Sequence, residues 1–371
     1  MARRKSRLPL RTAIAWRSLR TALARTPPQK VERVLIAHNL LLGDTLMLAS
    51  LLAGLRARYP KALLAMTCAP AFLPLYEGRP YGVEAITFDP REPESLTRIA
   101  ALGPFDLAIV PGESRHGWLA RAAGARWVRG YRGGAWYYQA ALDERCELPE
   151  HLQPLVDIMG HLAQHDPGRF NPDDWPPPAA GAFEPPDEAY AVLHLGAGSP
   201  LKYWPPAHWR TLAESLVQRW GLIPVFSAGP GQEELVRAAD PQKQFLDVGG
   251  RLDLRDMWQL LKKAALLVSL DTGIAHLARL TKTPSVVLFG PGQADLYSPG
   301  RFFADAAYKA VTIHEIPCRN EALLFERTRP WIRTCVRTPS ACHFEARCST
   351  GIGIESVTAA VHEVLKKANK A

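Results

Sequence analysis

The chain has 371 residues, 47% of them hydrophobic and 22% charged, an ordinary globular composition at a length that fits two domains of about 150–200 residues each. Its net charge of +9 is concentrated at one end: residues 1–30 hold nine basic side chains and no acid, and the remainder is balanced. A general nucleic-acid-binding surface on the folded body is therefore disfavoured. No uncharged apolar run reaches the roughly 18 residues of a membrane span.

The basic segment does not read as a secretion signal, because Arg11, Arg17 and Arg20 interrupt any apolar stretch. On a helical projection Trp16, Leu19 and Leu23 share a face with Ala15 and Ala22, and most arginines lie opposite. This predicts a basic amphipathic helix of the type that lies on an anionic membrane surface, although Leu10, Ala13 and Ile14 spoil the pattern. A solvated leader is the alternative.

The body begins at Val34–Ala37, an apolar run that reads as a buried strand. The Gly43-Asp44 turn follows, then helical spacing over 45–58, a strand at 63–66, a helix at 94–102 between strands at 84–88 and 107–110, and a Pro-rich stretch over 167–187. After it the pattern restarts with a strand at 191–195, helices at 206–220 and 231–239 around a strand at 223–226, helical Met257–Ala264, strands at 266–270 and 286–289, and a terminal helix at 354–369. Alternating strands and helices imply parallel sheets with helices on both faces. The expected fold is α/β, with two doubly wound Rossmann-like domains facing a central cleft. Residues 1–30 form the basic segment, 31–170 the N-terminal domain, 171–187 the linker and 188–352 the C-terminal domain. Residues 353–371 form a helix expected to pack back on the N-terminal domain.

In such sheets ligands bind at the carboxyl ends of the strands, and the chemistry-bearing residues cluster there. Asp44 follows the first strand and precedes a helix, where a carboxylate can take a proton from an attacking hydroxyl; read locally, it is an N-cap. In HLGAGSPLKYWP (194–205) the Gly-rich turn brings backbone amides, the Ser199 hydroxyl and the Lys202 cation towards a phosphate. It matches neither a Walker loop nor GxGxxG. In SLDTGIAHLA (269–278) a strand runs into Asp271, Thr272 and Gly273, whose following helix offers N-terminal amides to an anion, with His276 one turn in. In SAGPGQEE (227–234) Glu233 is placed to accept from ribose hydroxyls. Between Arg115 and Arg132, Arg115 and Arg121 lead a basic, aromatic stretch suited to an anionic acceptor.

Together, GDTLMLASLLAGLRARYP (43–60), HLGAGSPLKYWPPAHW (194–209), SLDTGIAHLA and LFGPG (288–292) resemble the ADP-heptose:lipopolysaccharide heptosyltransferases, in order over roughly residues 31–300. The resemblance implies an inverting glycosyltransferase of GT-B architecture that needs no catalytic metal or other cofactor. It implies an acceptor on the N-terminal domain and the donor ADP-heptose on the C-terminal one. By that resemblance Asp44 is the base, Lys202 meets the donor diphosphate, and Asp271, Thr272, Gly273 and His276 form the donor-binding turn and helix. The implied partners are an anionic glycolipid acceptor of the lipid A-Kdo core type and the inner leaflet of the cytoplasmic membrane, making the enzyme cytoplasmic and peripheral. Transfer to another acceptor such as protein, a GT-B-like sugar-nucleotide epimerase, and a non-catalytic nucleotide-sugar-binding protein are the alternatives.

The segment RNEALLFERTRPWIRTC (319–335) is not explained by the resemblance and would alter which sugar or acceptor fits. Cys318, Cys335, Cys342 and Cys348 cluster in sequence without a CxxC pair, a poor zinc signature that leaves a structural metal as the lesser expectation beside free thiols.

Overall fold

The computed structural model describes residues 6–21 and 25–368. In the first unit, α1 (Leu8–Thr21) precedes β1 (Arg33–Ile36), α2 (Leu42–Met47), α3 (Ala49–Arg58), β2 (Leu63–Cys68), β3 (Val83–Thr87) and α4 (Glu94–Ala100). Then come β4 (Phe105–Val110), α5 (His116–Ala122), β5 (Ala125–Tyr131), α6 (Trp136–Gln139), β6 (Glu144–Cys146) and α7 (Leu155–His161). The second unit runs through β7 (Tyr190–His194), α8 (Pro206–Trp220), β8 (Ile223–Ser227), α9 (Glu233–Ala239), β9 (Leu246–Asp247) and α10 (Leu254–Lys263). It continues with β10 (Leu266–Leu270), α11 (Gly273–Leu280), β11 (Ser285–Phe289) and β12 (Tyr308–Thr312). Beyond these lie the short strands β13 (Leu323–Leu324) and β14 (Arg327–Thr328), then α12 (Arg347–Thr350) and α13 (Ile354–Ala368).

Each unit is built on one six-stranded parallel sheet. The orders are β3-β2-β1-β4-β5-β6 and β12-β11-β10-β7-β8-β9, which are the same doubly wound topology. The strands are nearly continuous apolar runs because parallel strands are covered on both faces; Val34, Leu35 and Ile36, and Leu266, Leu267 and Val268, have no exposed surface. In the second unit α8 buries Trp209, Leu212, Ala213 and Leu216, an i, i+3, i+4, i+7 stripe, and stops at Gly221 in the left-handed conformation (φ +63°). Asp253 caps α10 by accepting from the amides of Arg255 and Asp256 at 2.8 and 2.9 Å.

Two expectations are corrected. The C-terminal helix α13, expected on the N-terminal domain, belongs to the second unit: Val357, Val361 and Val364 are buried in that unit's core, where α13 lies against β10, β11, β12 and α8. Its apolar stripe completes the face of the sheet that α8 also covers. The units are also not contiguous in sequence. The first comprises the chain up to Pro178 together with Leu323–Arg329, and the second holds Ala179–Ala322 and the chain from Pro330 onward. The first junction falls inside the expected linker, whose Trp175 belongs to the first unit; its indole donates to the Leu75 carbonyl at 3.2 Å.

The expected N-terminal helix exists, but its orientation follows the residues that spoiled the amphipathic pattern. Leu10 is buried in the first unit's core, with Ala13 and Ile14 packed against it. Ser18 donates to the Trp118 carbonyl at 3.2 Å, tying α1 to α5. Leu8 and Trp16 stay outside, each 64% exposed. The Leu19 side chain, Ala22 and Leu23 lie outside the described part of the chain. Among the described residues no helix is long and apolar enough to cross a membrane.

Candidate functional site

In a doubly wound sheet the strand order reverses between the first and fourth strands, and the loops leaving those two strands diverge to leave a crevice. In the second unit those strands are β7 and β10. The loop after β7 carries Ser199 and Lys202, and the loop after β10 carries Asp271 and Thr272. The structure joins them: the Lys202 ammonium donates to the Asp271 backbone carbonyl at 2.6 Å and to Asp271 Oδ2 at 2.9 Å. Two of its three N–H donors are thereby spent on the loop, and the third remains to meet a ligand. The Asp271 side chain is nearly buried and that of Lys202 about one-quarter exposed. The carboxylate thus aims a cation from below while the cation keeps access to solvent.

Gly292 makes room for this pair, since a Cβ there would lie 2.5 Å from Asp271 Oδ2. Thr272 caps α11, its hydroxyl accepting from the Ile274 amide at 3.3 Å, so Gly273 opens the helix beside Lys202. The Lys202 charge and the α11 amides form one positive region.

His276 is buried behind this turn rather than displayed on it. Its Nδ1 lies 3.1 Å from Arg279 Nη1. A guanidinium can only donate, so Nδ1 accepts and Nε2 carries the proton. Burial first, then the charges of Arg279 and Lys202, hold the ring's pKa well below its usual value. The imidazole is a neutral strut at physiological pH. Arg279 itself donates to the carbonyls of Tyr297 and Ser298 and stacks over the Tyr308 ring with its charge 5.0 Å from the centroid.

Ser199 is used locally: its hydroxyl accepts from the Leu201 amide at 3.3 Å, capping the turn that presents Lys202. Glu233 opens α9 and accepts from the Gly231 amide at 2.9 Å. The bond from its own amide, and then the one from Gly231, draw its pKa down. Sequence reasoning passed over Gln232, whose side-chain amide donates to the Ala197 carbonyl at 2.7 Å and to the Tyr203 hydroxyl at 3.0 Å, tying the two Gly-rich loops together.

In the first unit the switch point lies between β1 and β4, and the loop after β1 leads to Asp44. The expected N-cap role does not hold. The helix starts at Leu42, its cap is Leu41 with no side-chain bond, and Asp44 is the third helical residue. The neighbouring Thr45 is buried and donates to the Leu41 carbonyl at 2.9 Å, which fixes the turn while Asp44 stays half-buried.

The basic stretch separates. Arg115 is exposed and paired with Glu113. Arg121 has 0% of its side chain exposed. It is bound to Asp143 and donates to the carbonyls of Ala141, Ala125 and Arg126 at 3.2, 3.2 and 2.9 Å. Its donors are committed to holding α5 against β5 and β6, so it is a structural tie and not an acceptor ligand. All six cysteines are free thiols. Among the described residues no group of three His, Cys, Asp or Glu side chains is placed to hold a metal ion.

The segment that resisted the family reading lies at the ligand-binding edge of the first sheet. Arg327 is buried, and all five of its N–H groups are used. They go to the carbonyls of Arg132, Gly112, Phe325 and Tyr131 and to Ser114 Oγ, at 2.6–3.0 Å. Burial lowers its pKa to about 10. The loops after β4 and β5 are thus closed by a hairpin from far along the chain.

Residues 103–315 match the model of glycosyltransferase family 9 (heptosyltransferase). This is more than half of the chain. The chain belongs to that family. Lipopolysaccharide heptosyltransferase 1 of Pseudomonas aeruginosa is 35% identical over 107 residues, 29% of this chain and 30% of that relative, so the chain aligns with less than a third of that relative's length. Lipopolysaccharide heptosyltransferase 2 of Escherichia coli K12 is 24% identical over 302 residues, 72% of this chain and 85% of the relative. Among solved structures, the E. coli ADP-heptose lipopolysaccharide heptosyltransferase II shares the fold with a TM-score of 0.66 at 20% identity, over 91% of this chain and 99% of that one. The α/β, GT-B class expected from the sequence is the class observed.

Proposed function

We propose that this family 9 chain transfers a heptose from ADP-heptose to a hydroxyl of an inner-core lipopolysaccharide acceptor, working on the inner face of the cytoplasmic membrane. The observation that carries the reading is the Lys202–Asp271 pair at the switch point, immediately ahead of α11. It is a fixed, part-exposed cation beside a helix N-terminus, suited to a diphosphate that gains charge as it leaves. The relatives' names supply the sugar, the nucleotide and the lipopolysaccharide.

In this mechanism Asp44 takes the proton from the acceptor hydroxyl as its oxygen attacks the anomeric carbon. The bond from that carbon to the diphosphate oxygen breaks, and ADP leaves with the electron pair. One displacement inverts the anomeric centre. Lys202 and the Gly273 amide receive the developing phosphate charge without a metal ion taking part. Asp271, Thr272 and His276 hold that region in place, Glu233 meets the ribose, and Ser199 keeps the Lys202 turn. On the acceptor side Arg115 is the remaining anion ligand, and the hairpin at β13 and β14 helps to decide which acceptor is admitted.

The test is ADP release from ADP-heptose with a truncated lipopolysaccharide core acceptor. Asp44→Asn is expected to lower acceptor-dependent release by at least about 100-fold, the scale of a general base, while donor binding is retained. Wild-type binding of ADP-heptose without turnover would assign a different acceptor. Failure to bind it would remove the heptose reading.

A further inference from the structure

A cavity of about 560 Å³ lies in the first unit beneath α1, lined by Arg7, Leu10, Arg11 and Ile14 on one side and by residues such as Phe88, Trp118 and Tyr138 on the other. Its size is that of a small-molecule site, but its chemistry is not that of a sugar site. The walls expose mainly aliphatic and aromatic surface, and among the polar groups of Ser18, Asn39, His116, Trp118, Tyr137 and Tyr138 several are spent: the Ser18 hydroxyl donates to the Trp118 carbonyl, the Trp118 indole to the Tyr137 carbonyl, and His116 Nδ1 lies 3.2 Å from the Glu113 carbonyl. No carboxylate lines it, and three arginines do. Arg115, paired with Glu113, is the arginine proposed for the acceptor, which leaves Arg7 and Arg11, both exposed on α1, at the mouth. On the outer face of the same helix Leu8 and Trp16 are 64% exposed.

We propose that this cavity takes one acyl chain of an anionic bilayer phospholipid, with the headgroup phosphate held between Arg7 and Arg11. Three observations fix the occupant. The apolar walls accept a hydrocarbon chain and offer little to hydroxyls. The arginines, on stems that lie along apolar surface, select a negative headgroup bidentately. Leu8 and the amphipathic Trp16, exposed on the outer face of the same helix, suit the boundary between headgroups and chains. The helix therefore does not lie on the membrane by its whole apolar face. It is docked on the protein by Leu10, Ile14 and Ser18, and the lipid reaches into the protein beside it. The site shares Arg115 with the proposed acceptor side but needs no transfer step, and its readout is binding, so its failure and that of the proposed function are separable.

The test uses the full chain. Monoalkyl phosphates of eight, ten and twelve carbons are titrated below their micellar concentrations, beside inorganic phosphate and a neutral alkyl glycoside of twelve carbons. Each buried methylene is expected to tighten binding roughly fourfold. Inorganic phosphate alone gives no measurable binding, and the neutral glycoside binds at least about tenfold more weakly than dodecyl phosphate. Vesicles containing phosphatidylglycerol bind the protein and pure phosphatidylcholine vesicles do not. Ala15→Trp, which fills the cavity, removes the chain-length dependence. The exposed pair Arg7→Glu and Arg11→Glu, which leaves the packing untouched, removes the preference for the anionic headgroup and the vesicle binding. Equal affinity across chain lengths, or equal binding of inorganic phosphate or of a short sugar phosphate, would overturn the proposal and make the cavity a polar subsite. Vesicle binding unchanged in the double arginine variant would overturn it as well.

Discussion

At the scale of the residue, the proposed donor site depends on a carboxylate that need not touch the donor. Asp271 accepts from Lys202 through both its backbone and its side chain. Its negative charge beside a diphosphate would be repulsive if it were not neutralised, so its contribution is to position the cation. Asp271→Asn is therefore expected to lower kcat/KM by roughly 10–100-fold. Lys202→Ala should lower it at least as much, and the double variant should be no worse than Lys202→Ala alone. A double-mutant cycle checks this, since two independent contributions would add. Gly292→Ala, whose methyl would sit 2.5 Å from Asp271 Oδ2, is expected to show a milder form of the same loss. Both partners of the pair were legible in the sequence as strand-end residues of the right chemistry. Their bond was not, because it joins residues 69 apart and no local pattern encodes it. His276 was legible as a position and not as a role: its orientation depends on Arg279, which reads as an ordinary helix-end arginine until it is seen buried among carbonyls.

At the scale of the element, most boundaries followed from periodicity and caps. The helix at 206–220 was read to the residue because Pro206 opens it and Gly221 ends it. The start of α10 was missed by three residues because the cap Asp253 stands ahead of the first apolar position. The basic stretch was misread as one surface. A helix and a strand divide it, turning Arg121 inward and Arg115 outward, and a run of alternating arginines and aromatics does not announce such a division. The hairpin of β13 and β14 was not legible at all, since its strands are two residues each and its anchor is a single arginine. Arg327→Met should remove five hydrogen bonds, two of them to the buried Gly112 and Tyr131 carbonyls and one to Ser114 Oγ. It is expected to destabilise the first unit by at least about 3 kcal/mol, measured as a lower urea midpoint in the transition that reports Trp118 and Trp127. Arg327→Lys should recover only part of that loss, because an ammonium offers three donors where five are used.

At the scale of the whole molecule, four buried histidines set an acid limit. Burial lowers the pKa of His38 to about 3 and those of His116 and His194 to about 4, from an ordinary 6.5, and His276 is also held well below it. A lowered pKa means that the unfolded chain binds protons the folded one refuses. Their stability is complete above about pH 6.5 and is lost as the pH falls towards 4. At pH 5 His38, His116 and His194 each contribute a loss of roughly 2 kcal/mol relative to pH 7.5. Urea melts at the two pH values are expected to show a large drop, and His194→Gln should reduce that drop. The doubling of one topology was the most legible feature of the molecule, since strands and helices alternate twice around a Pro-rich interruption. The assignment of α13 was not, because a terminal amphipathic helix carries no mark of which sheet its stripe will cover.

The sequence discontinuity of the first unit has a consequence for the order of synthesis. Arg327 supplies the groups that satisfy the Gly112, Tyr131 and Arg132 carbonyls, yet it emerges from the ribosome about 150 residues after Pro178 ends the rest of the unit. At ordinary elongation rates that is a delay of roughly 8–30 s. For that interval the nascent first unit carries an unfinished rim at the edge where substrates would bind. A ribosome stalled at residue 200 should hold a first unit that is protease-sensitive at 112–114 and 131–134. One stalled past residue 360 should be protected there.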